Sequence, residues 1–159
     1  LAISYYETFG LDIAIPRPFN NYGPRQNDKS YAGVIPLTIK RILRNKQPII
    51  YGDGKQTRDF IYVEDTAKAI IDIYLSKNTR GKPINIASGE ETPIKGLIEK
   101  IMRLMGCSLK IKYEKPRPGD IKRHMADISL AKKLINFKPK TEFNEGLRKT
   151  IDYYRRKMS

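Results

Sequence analysis

The chain contains one cysteine, one histidine and no tryptophan. A single thiol, Cys107, excludes an internal disulfide and has no partners for a structural zinc site; it fits a reducing cytoplasm. The single imidazole, His124, has no serine or cysteine nucleophile motif near it, and no metal-ligand spacing occurs anywhere. No apolar run approaches the roughly 20 residues of a membrane-crossing helix, and no secretory leader opens the sequence. A glycine-rich dinucleotide fingerprint is missing as well, because Gly52-Asp53-Gly54 lacks the third glycine and does not open a helix. Acidic residues are scarce: 17 stand against 31 lysines and arginines, a formal charge of +14. Such an excess points to anionic partners, whether nucleic acid, a membrane surface or phosphorylated metabolites. A lysine-rich surface, or an acidic counterpart elsewhere, gives the same balance. The basic residues are dispersed, with no block of five or six, so no nucleic-acid arm is evident.

What is present is a patterned chain. Its 159 residues, 40% hydrophobic and 30% charged, suit one globular unit with a single core. Residues 1–9 read as the end of an amphipathic helix stopped by Gly10, with neither an initiator methionine nor an N-cap, which predicts a truncated chain. Residues 11–15 read as a buried strand halted by Pro16 and Pro18, and residues 19–30 as loop. Apolar spacing predicts helices over 32–45, 64–77, 93–105 and 142–157, plus a short one from Ser129 to Ile135. Asp65 and Thr92 are the expected N-caps of the second and third. Strands are expected at 48–51, 59–63, 83–87 and 109–113. Their alternation with helices gives an α/β class.

Three loops hold polar and cationic residues between these elements, where α/β proteins usually carry ligands. The first, residues 17–25, presents the adjacent amides Asn20 and Asn21, which either bind a ligand or serve turn geometry. The second runs from Tyr51 to Val63. Its Arg58 is placed to grip phosphate oxygens with a bidentate fork, or else to pair with Asp59 at the surface. The third, residues 115–120, offers Arg117 as another fork and Asp120 as an acceptor for sugar hydroxyls; on its own it also reads as a plain Pro/Gly turn.

Taken in order, RPFNNYGPRQ, YGDGKQTRDFIYVEDTAKAI, INIASGE and RPGD resemble the nucleotide-sugar epimerases and dehydratases of the extended short-chain dehydrogenase/reductase family. The resemblance spans nearly the whole chain. It implies the C-terminal part of a Rossmann-type sheet plus the small substrate-binding lobe. The NAD-binding half, with its glycine fingerprint and its Tyr-x-x-x-Lys pair, would lie upstream of Leu1 and is absent here. The domain expectation is therefore one fragment, 1–159, without catalytic residues of its own.

Position by position, the resemblance puts Pro18, Phe19 and Asn21 at the nicotinamide end of NAD. It puts Asn20 near the substrate diphosphate, Gly33 and Val34 near the nucleotide, and Ile50, Tyr51 and Gly52 beside the base. Arg58 then falls on the diphosphate, Asn85, Arg117 and Asp120 on the nucleotide, and His124 at the sugar pocket. It favours a UDP-sugar 4-epimerase through RPGD, while the double Asn of FNNYGP resembles dTDP-glucose 4,6-dehydratases. The implied full-length enzyme is a cytoplasmic homodimer that uses NAD and a nucleotide-sugar, without nucleic acid or membrane. Two readings of other classes remain: a basic nucleic-acid-binding module, and a stand-alone sugar-nucleotide-binding protein.

Overall fold

A computed structural model describes residues 1–29 and 32–158. The order is α1 (Ala2–Phe9), β1 (Ile15–Pro18), β2 (Asn20–Tyr22), α2 (Val34–Leu43), β3 (Ile49–Tyr51), β4 (Thr57–Arg58), β5 (Phe60–Tyr62) and α3 (Val63–Leu75). A 3-10 turn (Lys77–Thr79), β6 (Pro83–Ile86), β7 (Thr92–Pro93), α4 (Ile94–Met105), β8 (Lys112–Glu114), α5 (Ser129–Ile135) and α6 (Phe143–Met158) follow. The strands form two-stranded ladders: β1 with β6, β2 with β5 and β3 with β8 are parallel, and β4 with β7 is antiparallel. The α/β class read from the sequence holds.

Most helices fall within two residues of their expected bounds, because their apolar stripes are what the core selects. On α4, Leu97, Ile98 and Ile101 are fully buried and pack with Ile35 and Ile39 of α2 and Leu147 and Ile151 of α6. Each such side chain contributes roughly 1.5–3 kcal/mol of burial. A second cluster joins Ala69 and Ile73 of α3 to Ile84 and Ile86 of β6 and to Phe137. Gly10 ends α1 in the left-handed conformation, φ 62°, as expected.

Five local expectations fail, each for a tertiary reason. The first strand begins at Ile15 and runs through both prolines instead of ending before them. Phe19 N–H bonds Ile86 O, so by alternation Arg17 also faces β6 while Pro16 and Pro18 turn their missing N–H groups to the outer edge. The expected loop 19–30 contains β2, because Asn20, Asn21 and Tyr22 find β5 as a partner; Ser30 lies outside the described residues.

Asp65 is not an N-cap. Strand β5 runs straight into α3, Asp65 sits in the first turn, and its carboxylate accepts from the backbone N–H of Lys140 and Thr141 at 3.1 and 3.0 Å. Thr92 does not cap α4 either. It pairs with Arg58 in the short ladder, and the helix's first donors, Ile94 and Lys95 N–H, bond Gln56 O and Gly54 O. The strand expected at 109–113 is shifted to Lys112–Glu114 by its register with Ile49–Tyr51.

Two glycines fix this arrangement. Gly54 adopts φ 76°, which L side chains avoid, and an added Cβ would lie 2.9 Å from Lys95 Cβ. Gly146 sits inside α6, where a Cβ would strike the Tyr22 hydroxyl. A helix tolerates this glycine because the Tyr22 and Tyr62 rings occupy the space.

Candidate functional site

A cleft of about 670 Å³ opens between α2 and the loops that follow β2, β3 and β8. It collects eight residues singled out from the sequence: Asn20, Asn21, Gly33, Val34, Tyr51, Arg58, Arg117 and Asp120. They come from positions nearly 100 apart in the chain, and the parallel pairing of β2 with β5 brings the first two loops together.

At one end, Asn20 donates from Nδ2 to Asp59 O at 2.9 Å and lies 3.4 Å from His124 Nδ1. That second contact needs a neutral imidazole with its proton on Nε2. The His124 ring stacks on Phe19, centroids 4.8 Å apart. Asn21 accepts from Thr66 Oγ1 of α3 at 3.0 Å, and its backbone carbonyl receives Gln26 Nε2 at 2.9 Å. Both amides thus serve local geometry while lining the cleft.

In the middle, the Arg58 guanidinium binds the Asp120 carboxylate and the carbonyls of Thr57 and Ile121 at 2.7 and 2.6 Å. The alternative Arg58–Asp59 surface pair is overturned. Strand alternation turns Asp59 inward, where it is fully buried, and Arg58 toward the cleft. Arg117 lies over the Tyr51 ring at 4.0 Å, a cation–π contact that leaves the fork's edge available for hydrogen bonds. Gly33 and Val34 place the start of α2, the positive end of its dipole, on the same cleft.

Several expected residues lie elsewhere. The Ile50 side chain is fully buried in the core, and its neighbours Ile49 and Tyr51 reach the cleft instead, as strand alternation requires. Gly52 is a hinge of the turn, its N–H bonding Glu114 O at 2.9 Å. Asn85 is outside the cleft lining: Oδ1 accepts from Arg17 Nε at 2.7 Å and Nδ2 donates to Asp127 O at 2.9 Å. Pro18 at the end of β1, Phe19 after it and the His124 ring stacked on Phe19 lie behind the Asn20 end, also outside the lining.

The sequence reading missed Gln26, Gln56 and the cations Lys40, Arg41, Arg44 and Lys46, all on the cleft wall. The cations cluster at the end of α2 and just beyond it, and in sequence they are indistinguishable from the rest of the dispersed charge. Asp28, between Lys40 and Lys157, also lines the wall. The hydrogen bond from Lys157, assisted by Lys40, holds its carboxyl below the ordinary range. Among the described residues no cluster of His, Cys, Asp and Glu could hold a metal ion, and no helix is long and apolar enough to cross a membrane.

A ligand for this cleft would be anionic and elongated, with polar groups at the Asn20 end. Residues 1–150 match the family model described as GDP-mannose 4,6 dehydratase. The fold superposes on a UDP-N-acetylglucosamine 4-epimerase from Methanobrevibacter ruminantium solved with UDP-N-acetylmuramic acid, TM-score 0.92 and 44% identity, covering 98% of this chain and 50% of that one. A UDP-glucose 4-epimerase from Thermotoga maritima, solved with UDP-glucose, gives TM-score 0.93 at 30% identity over 98% of this chain and 50% of that one. A dTDP-glucose 4,6-dehydratase from Bacillus anthracis, solved with NAD, gives 0.86 at 33% identity, covering 98% and 48%. The chain spans about half the length of the curated relatives it matches, 48% for each of two of them.

Proposed function

Because this chain belongs to the GDP-mannose 4,6-dehydratase family, we propose that it is the C-terminal, substrate-binding half of an NAD-dependent nucleotide-sugar 4-epimerase. The observation that carries the reading is the convergence of Arg58, Arg117 and the start of α2 on one cleft beside the Tyr51 ring. Two guanidiniums and a helix N-terminus suit a diphosphate; the ring and the Asp120 carboxylate suit a nucleoside. The neutral amides Asn20 and Asn21, with His124, suit sugar hydroxyls. UDP-sugars are the substrate class, and they are what the two epimerases above were solved with or named for.

The residues present do not form a dinucleotide site, since no glycine fingerprint joins a strand to a helix here. Pro18, Phe19 and Asn21 offer at most an edge for the nicotinamide, and the rest of NAD, with the proton-transferring base, belongs to a complementary half. The role of this half is binding energy: remote contacts to the nucleotide position the sugar carbon that reacts. The full-length enzyme is proposed as a cytoplasmic homodimer.

Titration of the 159-residue chain with UDP-glucose by calorimetry tests the binding role. Saturable binding that Arg58→Ala weakens is expected; no binding at millimolar UDP-glucose would refute it. Turnover by this chain alone with added NAD would refute the division of labour. A 4,6-dehydratase is the second reading, favoured by the Asn20-Asn21 pair and by the dehydratase of similar fold. Product analysis of the full-length enzyme, by epimer formation against a 4-keto-6-deoxy sugar, separates the two. The nucleic-acid reading gains no support, because the family and the relatives act on nucleotide-sugars.

A further inference from the structure

The described segment between Asp120 and α5 has neither helix nor strand over 121–128, yet it carries His124 against Asn20, just outside the cleft lining. Backbone ladders cannot hold it, so side-chain anchors must. Arg58 takes one end of it through Asp120 and Ile121. The next residue, Asp59, between β4 and β5, takes the other end from the opposite side of the same extended segment.

Asp59 is fully buried, and among the described residues no lysine or arginine pairs with it. Its Oδ1 accepts from Ser88 N–H at 2.8 Å and Ser88 Oγ at 2.7 Å. Its Oδ2 accepts from Gly89 N–H at 3.0 Å and Ala126 N–H at 3.3 Å. Four donors match the roughly four acceptor sites of a carboxylate, which is what makes an ion without a counter-charge tolerable in the interior. Its backbone carbonyl receives Asn20 Nδ2. One residue therefore touches the first loop, the turn after β6 and the His124 segment.

We propose that Asp59 is a positioning residue of the cleft: its carboxylate clamps Ala126 and the Ser88-Gly89 turn so that His124 stays against Phe19 and Asn20 and faces the sugar end. The part concerning the ligand rests on the proposed nucleotide-sugar function; the clamp does not. Other anchors on the segment, Thr57 N–H to Lys122 O at 2.9 Å and Arg123 to Glu91 at 2.7 Å, lie on the Asp120 side of His124. On the far side, Asp59 and Asn85, through Asp127 O, supply the side-chain bonds from distant elements.

His124 is the only histidine of the chain, so its Cε1–H resonance is a unique reporter. Asp59→Asn keeps the shape but offers one acceptor oxygen, leaving an amide NH2 facing N–H donors. The His124 signal should lose the Phe19 ring-current shift, and UDP-glucose affinity should fall roughly tenfold. Ser88→Ala removes a donor from the same carboxylate without touching the His124 segment; it should lower the melting temperature and leave the resonance in place. If Asp59→Asn does not fold, Ala126→Pro removes the N–H that ties the segment, while fixing φ and adding ring bulk, and should displace the resonance likewise. An unmoved His124 in the folded variants overturns the proposal, as does an equal displacement in Ser88→Ala. A displaced His124 with wild-type UDP-glucose affinity overturns its ligand-facing part. Failure of the wild-type chain to bind UDP-glucose would instead refute the proposed function, with the resonance still deciding the clamp.

Discussion

Replacing Arg58 with alanine tests the cleft most directly, because the structure gives this side chain two jobs that can be measured apart. Without ligand, the guanidinium binds the Asp120 carboxylate and two backbone carbonyls. The ion pair is partly exposed, with 17% and 30% of the two side chains accessible, so screening limits it to roughly 1 kcal/mol. Each carbonyl bond adds about 0.5–1.5 kcal/mol. A stability loss of about 2–4 kcal/mol follows, which at this chain length lowers the melting temperature by roughly 4–16 °C. If Arg58 also grips the diphosphate, UDP-glucose affinity should fall by a further one to two decades, since a charge-assisted bond contributes about 1.5–3 kcal/mol. Arg58→Lys should restore only part of it, keeping the charge without the fork. Calorimetry and thermal melts on Arg58→Ala, Asp120→Asn and the double variant separate the jobs. A purely structural arginine predicts that Arg58→Ala lowers the melting temperature and leaves UDP-glucose affinity unaltered. That result would remove Arg58 from ligand binding.

Helix propensity alone says Gly146→Ala should gain about 1 kcal/mol. The structure predicts the opposite sign, a loss of roughly 1–3 kcal/mol in a urea melt, because the methyl group would strike the Tyr22 hydroxyl. Ile101→Ala, at the fully buried centre of α4, should cost about 2–5 kcal/mol by the same melt. Asp28 and Glu91 are held below the ordinary carboxylate range, Asp28 chiefly by Lys157 and Glu91 by Arg123. Depressed folded-state values stabilise the fold above the unfolded values near 4 and cease to as the pH falls through the folded ones. The urea midpoint should thus be flat near neutrality and decline below about pH 4, less so in Asp28→Asn; a midpoint that rises on acidification would contradict the pairing. Mobility shifts with DNA should show only weak, steeply salt-dependent binding; a tight complex that persists at high salt would revive the nucleic-acid reading.

The amino-acid sequence by itself determined the α/β class, the helices and the set of loops worth examining. Helix stripes are legible because a 3.6-residue period survives whatever partner the helix finds: Leu97, Ile98 and Ile101 would face any core. Turn residues are legible for a similar reason, since the left-handed backbone of Gly10 and Gly54 is a local demand. What the tertiary structure decided were relations between distant segments. Strand β2 exists only because Asn20–Tyr22 meets β5, and Pro16 and Pro18 are admitted to a strand only because one of its edges carries no partner N–H acceptor in the ladder. Asp65 and Thr92 fit the local cap pattern, but backbone donors of Lys140 and Thr141 occupy the Asp65 carboxylate, and the carbonyls of Gln56 and Gly54 take the first donors of α4. Arg58 and Asp59 are adjacent in sequence and opposite in side. Strand alternation sends one to the cleft and the other to the interior, and the partners that give each its meaning, Asp120 and Ala126, lie more than 60 residues away.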